Sequence, residues 1–192
     1  LNPAQRKAVI KSQVEKILAE LNADLEIDAN LLDEVNNLVE IPTAMLGKFE
    51  ADYLELPPEV LISVMKKHQR YFAVKDKAGK LMNYFIAVRN GTPEHLDIVI
   101  DGNEQVVRAR FADAAFFINE DQEQKLEEYL PSLDKLTFQV KLGSMLDKNQ
   151  RIEKIVKDIT AMIPDAKVEE KTINRAAKLS KADLVTQMVV EM

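Results

Sequence analysis

Cysteine is absent from this chain, histidine occurs twice and glycine five times in 192 residues. The first absence excludes disulfides and thiolate chemistry and fits a cytoplasmic setting. The five glycines are scattered singly, so there is no glycine-rich phosphate loop. No Ser, His and Asp order suggests an activated nucleophile. No apolar run approaches the eighteen or so residues a membrane helix needs, so no membrane partner is expected. A formal charge of −6 argues against nucleic-acid binding by the surface as a whole, though not against a local basic patch. What remains is 46% apolar and 30% charged, the composition of a chain that packs a core.

Hydrophobic spacing then divides the chain. Residues 2–21 carry Val9 or Ile10, then Val14, Ile17, Leu18 and Leu21 at helical intervals, with Pro3 suited to the first turn. Asp28 is placed to cap a second helix bearing Leu31, Leu32, Val35, Leu38 and Val39, which Pro42 ends. A strand is expected over Ala44 to Glu50. A helix follows from Pro58, with Val60, Leu61, Val64, Met65 and His68 along one face. Tyr71 to Lys75 and Leu81 to Val88 read as a hairpin, with Gly79 supplying a positive φ in the turn. Asp97 to Ile100 is a possible strand. Asp101 and Gly102 mark a turn, and Asn103 caps a long helix that buries Val107, Phe111, Ala114, Ala115 and Ile118. Asp121 starts another helix that stops before Pro131. Strict alternation over Leu136 to Leu142 predicts a strand, and Gly143 ends it.

From Ser144 the pattern is helical. One helix carries Ile152, Ile155, Val156 and Ile159; a second carries Ile173, Ala176, Ala177 and Leu179. Ser180 caps a third through Leu184 and Met188. The expected organisation is α+β: a mixed domain over 1–142, with N-terminal helices in 1–40 and a small, mainly antiparallel sheet, then helices over 143–192. The chain starts Leu1-Asn-Pro3 without an initiator Met. The apolar pattern of Leu184, Val185, Met188 and Val189 is still running at Met192. An internal piece of a longer protein is expected.

The densest positive run is Lys66-Lys-His-Gln-Arg-Tyr-Phe72. Lys66, Lys67 and Arg70 offer phosphate contacts, and the aromatics beside them could stack on unpaired bases. The same residues also describe two core aromatics, Tyr71 and Phe72, beside a solvated helix end, where cations are favourable by roughly 0.3–1 kcal/mol. Arg89 leaves a strand into a loop and is a weaker candidate. Arg108 and Arg110 point about 200° apart on a helix. The spacing assigns Arg110 to an ion pair with Asp113 three residues on, and leaves Arg108 as a further candidate for RNA.

Several segments carry a family resemblance. They are Leu56-Pro-Pro-Glu-Val-Leu-Ile62, Lys67-His-Gln-Arg-Tyr-Phe72, Phe85-Ile-Ala-Val-Arg-Asn90 and Gly102-Asn-Glu-Gln-Val-Val-Arg-Ala-Arg110. Asp113-Ala-Ala-Phe-Phe117, Lys141-Leu-Gly143, Asp147-Lys-Asn-Gln-Arg-Ile152 and Arg175-Ala-Ala-Lys-Leu-Ser-Lys-Ala-Asp-Leu184 come after them in order. Together they resemble the beta subunits of bacterial two-subunit glycyl-tRNA synthetases.

The resemblance implies a beta chain that handles tRNA(Gly) and partners an alpha subunit. It places ATP, Mg and the class II active site in the alpha chain. No catalytic residue, metal ligand or cofactor is then expected in this piece. It also implies that residues 143–192 open an all-α HD-like domain. A catalytic HD site needs several His and Asp ligands with an adjacent His-Asp pair. Neither His68 nor His95 precedes an Asp, so Asp147, Asp158 and Asp183 read as caps, surface groups or ion-pair partners. Lys181 and Asp183 could form a network with Arg175. The alternative function is a purely structural interaction module without RNA contact.

Overall fold

A computed structural model describes residues 2–24, 27–163 and 169–191. The elements are α1 (Pro3–Glu20), α2 (Ala29–Leu38), β1 (Pro42–Lys48), α3 (Pro58–Ser63), β2 (Phe72–Lys75) and β3 (Leu81–Asn90). Then come α4 (Leu96–Gln122), β4 (Thr137–Gln139), β5 (Gly143–Ser144), α5 (Met145–Met162), α6 (Glu170–Leu179) and α7 (Gln187–Glu191). The class is α+β. The chain forms two compact units, Leu1–Ala115 and Phe116–Met192.

In the first unit the helix starts are explained by their caps. Asn2 and Gln5 make a reciprocal capping box before Pro3, and the Asp28 side chain accepts from the N–H groups of Asn30 and Leu31. The sheet is antiparallel in the order β1-β3-β2. Its turn has Gly79 at φ +82°, as the hairpin pattern predicts. Strand alternation sends successive β3 side chains to opposite faces. Ile86, with Tyr84 and Val88 beside it, joins Ile10, Val14 and Leu18 of α1 and Leu31, Leu32 and Val35 of α2 in one cluster. Phe85 faces the other way and stacks on Tyr71, centroids 4.8 Å apart. Phe111 of α4 meets Phe49 and Tyr53 edge-on at 4.9 and 5.5 Å.

Several expectations change. The strand begins at Pro42, and the second helix has already ended at Leu38. Asp97 to Ile100 is helix, not strand, and Asn103 lies inside α4 rather than at its cap. The Asn103 amide donates to the Val99 carbonyl at 2.6 Å, and its oxygen accepts the Tyr71 hydroxyl. Burial of Val107 and Phe111 on the same helix outweighs the roughly 1 kcal/mol an interior glycine such as Gly102 costs.

In the second unit, Asp121 belongs to the last turn of α4, and a 3-10 stretch over Leu126–Lys135 runs through Pro131. The Asp121 carboxylate accepts instead from the backbone N–H groups of Gln187 and Met188, at 2.8 and 2.9 Å. Of the alternating segment, Thr137–Gln139 alone is strand, pairing Thr137 with Ser144 and Gln139 with Gly143. The chain turns back after Gln139 and leaves Val140 91% exposed, so the alternation has no buried face to serve. Lys148 sits over the Phe138 ring at 3.8 Å. Ser144 and Asp147 form the capping box of α5. Ser180 closes α6 rather than opening a helix; its hydroxyl lies 3.1 Å from Asn149 Oδ1 and 2.9 Å from the Ala177 carbonyl. Arg175 pairs with Glu127.

Ile155, Ile159, Met162 and Ile163 are exposed along and just after α5, whereas Phe85, Ile86 and Ala87 are buried. Amides of the last fifty or so residues should therefore exchange faster than those of Phe85 to Val88. Equal protection in both, measured by hydrogen exchange, would contradict this.

Candidate nucleic-acid interface

The cationic run does not sit on an ordinary α-helical end. After α3 the chain widens into a π-helical turn over Val64–His68, an arrangement frequent at functional sites. Val64 and Met65 stay buried within it, while Lys67 is exposed. Arg70 then takes φ +57°, a conformation uncommon outside glycine, and turns the chain into β2. The backbone makes that corner with Tyr71 N–H bonded to the Met65 carbonyl at 2.9 Å.

Two of the three cations lean on α2. Lys66 pairs with Asp28, and Arg70 Nε donates to Glu34 at 2.8 Å. The Lys66 hydrogen bond, with the N–H of Leu31 next, holds the Asp28 carboxyl below its ordinary pKa. Asp28 divides its work between its oxygens: Oδ1 accepts from Asn30 and Leu31, while Oδ2 takes Lys66. Among the described residues, Lys67 makes no ion pair. Both pairs are substantially exposed, and such pairs contribute about 0–1 kcal/mol. A phosphate could therefore take over either cation at small cost.

Substituting Asp28 separates the cap from the ion pair. Asp28→Ala should lower the stability of this unit by about 0.5–2 kcal/mol, and Asp28→Asn should recover most of it because Asn also caps. Urea unfolding of both variants checks this. The lowered pKa sets the sign with pH: the wild-type advantage over Asp28→Asn is present above the unfolded carboxylate value. It fades as pH falls through the folded one.

The other two candidates lie elsewhere. Arg89 lies on the Phe85 and Ala87 side of β3, away from the cluster with α1 and α2, and its Nη1 donates to the Glu94 carbonyl at 2.9 Å. Arg108 on α4 pairs with Glu50 through Nε at 2.7 Å. That pair lowers the Glu50 pKa and raises that of Arg108. The expected assignment is thus reversed: Arg108 has the carboxylate, and Arg110 has no ion pair among the described residues. The carboxylate that decides it is 58 positions away in sequence. Sequence reasoning named Asp28 as a cap and missed it as the partner of Lys66. It missed Glu34 altogether, because the partner of each cation lies more than thirty positions away in sequence.

An α+β chain with a compact cationic turn is consistent with a component of an aminoacyl-tRNA synthetase, and the comparisons make that specific. The family model described as "Glycyl-tRNA synthetase beta subunit" matches residues 1–192. The glycine–tRNA ligase beta subunit of Bacillus subtilis is 45% identical over 190 residues, covering 99% of this chain and 28% of the relative. That of Clostridioides difficile is 50% identical over 192 residues, covering 100% and 28%. That of Synechocystis sp. is 46% identical over 191 residues, covering 100% and 26%. The chain belongs to the glycyl-tRNA synthetase beta subunit family. It spans a little over a quarter of the length of these relatives.

Proposed function

We propose that this chain is a non-catalytic part of a glycine–tRNA ligase beta subunit, working in the cytoplasm to position tRNA(Gly), to contact the alpha subunit, or both. ATP, Mg and glycine would be handled by the alpha chain. Family membership along the whole length supports the enzyme context. The observation that favours RNA contact is the turn of Lys66, Lys67 and Arg70, whose carboxylate partners are partly exposed and exchangeable. Arg89 and Arg108 are the secondary candidates, each already engaged by protein oxygen. Residues 143–192 would open an HD-like helical domain after a mixed domain over 1–142. The strand-to-helix change near Leu142 motivates that division, while compactness divides the chain at Ala115.

Each phosphate contact should add about 0.7–0.9 to the magnitude of the log–log salt slope of tRNA binding. Replacing Lys66, Lys67 and Arg70 by Glu should weaken binding and flatten that slope with the fold retained. Filter binding across a salt series reads both. A folded triple variant with unchanged affinity and slope would instead support a structural interaction module.

A further inference from the structure

Beside the cationic turn the first unit has a cleft of about 510 Å³, within the size range of small-molecule sites. Its lining includes the apolar Ile27, Leu31 and Ile62 and the charged Lys66, Lys75 and Asp28. We propose that this cleft receives one nucleotide unit, its base against the apolar residues and its phosphate between Lys66 and Lys75. The inference rests on the RNA reading above for its context, but the cleft has its own evidence.

Charge selects the class of occupant. Two lysines and one aspartate line the cleft, so its lining carries a net positive charge that suits a phosphate. The apolar residues suit a flat ring whose faces need no hydrogen bonds. Among the described lining residues, few polar side-chain groups are free to read a base edge. Asp28 is occupied by two backbone N–H groups and Lys66, and the Tyr71 hydroxyl is bonded to Asn103. The site should therefore hold any base and require the phosphate. Sequence-tolerant binding of this kind is typical where stacking and backbone charge dominate.

Lys75 is the residue that distinguishes the cleft from the outer cluster. Its backbone N–H and carbonyl bond to Asp24 at 3.0 and 2.8 Å, which fixes the strand end and leaves the side chain for other work. A change at its side chain spares that bridge.

The test is saturation-transfer NMR on the full-length protein, with AMP and UMP as probes and adenosine as control. Affinity for a lone nucleotide should be on the order of 1 mM, and AMP and UMP should agree within about threefold. Transfer should be strongest at base protons, and adenosine should give a signal about fivefold weaker. Lys75→Glu and Ile62→Glu, each checked for folding by circular dichroism, should reduce the AMP signal by about fivefold or more.

A short single-stranded oligoadenylate distinguishes the sources. Tighter binding than AMP means a nucleotide within a strand, and equal binding means a free nucleotide; either supports the cleft. No transfer to base protons at about 5 mM AMP, adenosine matching AMP, or a signal unchanged in both variants overturns it. If that happens while tRNA binding still depends on Lys67 and Arg70, the RNA reading stands alone. If AMP binds through Lys75 and Ile62 while tRNA binding ignores the cluster, the cleft stands alone.

Discussion

Phe111→Ala should destabilise the first unit by about 3–5 kcal/mol, the usual cost of deleting a buried aromatic ring. Phe111 is fully buried. Its ring meets Phe49 and Tyr53 edge-on, an arrangement that adds about 0.5–1.5 kcal/mol per pair beyond area burial. Removing it strips both partners of a neighbour at once. It also removes an apolar contact of α4, the helix that presents Asn103 to Tyr71 and Arg108 to Glu50. Two compact units need not unfold together, so a single denaturation midpoint could mix them. Exchange of the Phe85 to Ala87 amides in a urea series isolates the relevant unit. A loss below about 1 kcal/mol there would show that the site collapses around the gap.

Gly47→Ala should cost about 1–3 kcal/mol, from one added methyl group. Gly47 lies on β1 opposite Phe85 on β3. A Cβ at that position would stand 2.7 Å from both Phe85 Cε atoms and nearer still to Cζ. The ring cannot swing away freely, because Tyr71 is stacked on it. Glycine is needed here for space and not for backbone conformation. Phe85→Leu in the Gly47→Ala background should therefore recover part of the loss. Additive effects of the two substitutions, measured by the same amide exchange, would refute the clash.

The parts of this fold legible in the sequence are those fixed by neighbours along the chain. Asp28 caps the helix it precedes through N–H groups two and three residues on. Gly79 turns the hairpin. Where a distant contact decides, local signals mislead. Asp101, Gly102 and Asn103 have the chemistry of a turn and a cap. Tyr71, 32 positions away, satisfies Asn103 within a continuous helix. The alternation over Leu136 to Leu142 promises a half-buried strand, but the described residues offer it no face to bury.

The candidate site divides the same way. Lys66, Lys67 and Arg70 are visible as a local cluster. That Asp28 and Glu34 hold two of them, and that Lys75 lines the same cleft as Lys66, depends on packing that brings α2 and β2 into one cluster. The wide turn itself leaves no mark in composition, since its residues would suit an α-helix equally well.

That wide turn uses one residue more than regular winding needs. Each residue of an ordinary helix rotates the chain beyond it by about 100°. Losing one residue from α3 would therefore swing the downstream backbone and part Tyr71 from Phe85. Losing one between Ser63 and Gln69 would instead let the turn close to regular winding, with the flanking elements nearly in place. The segment that carries the cations is thus also where this path tolerates a change of length.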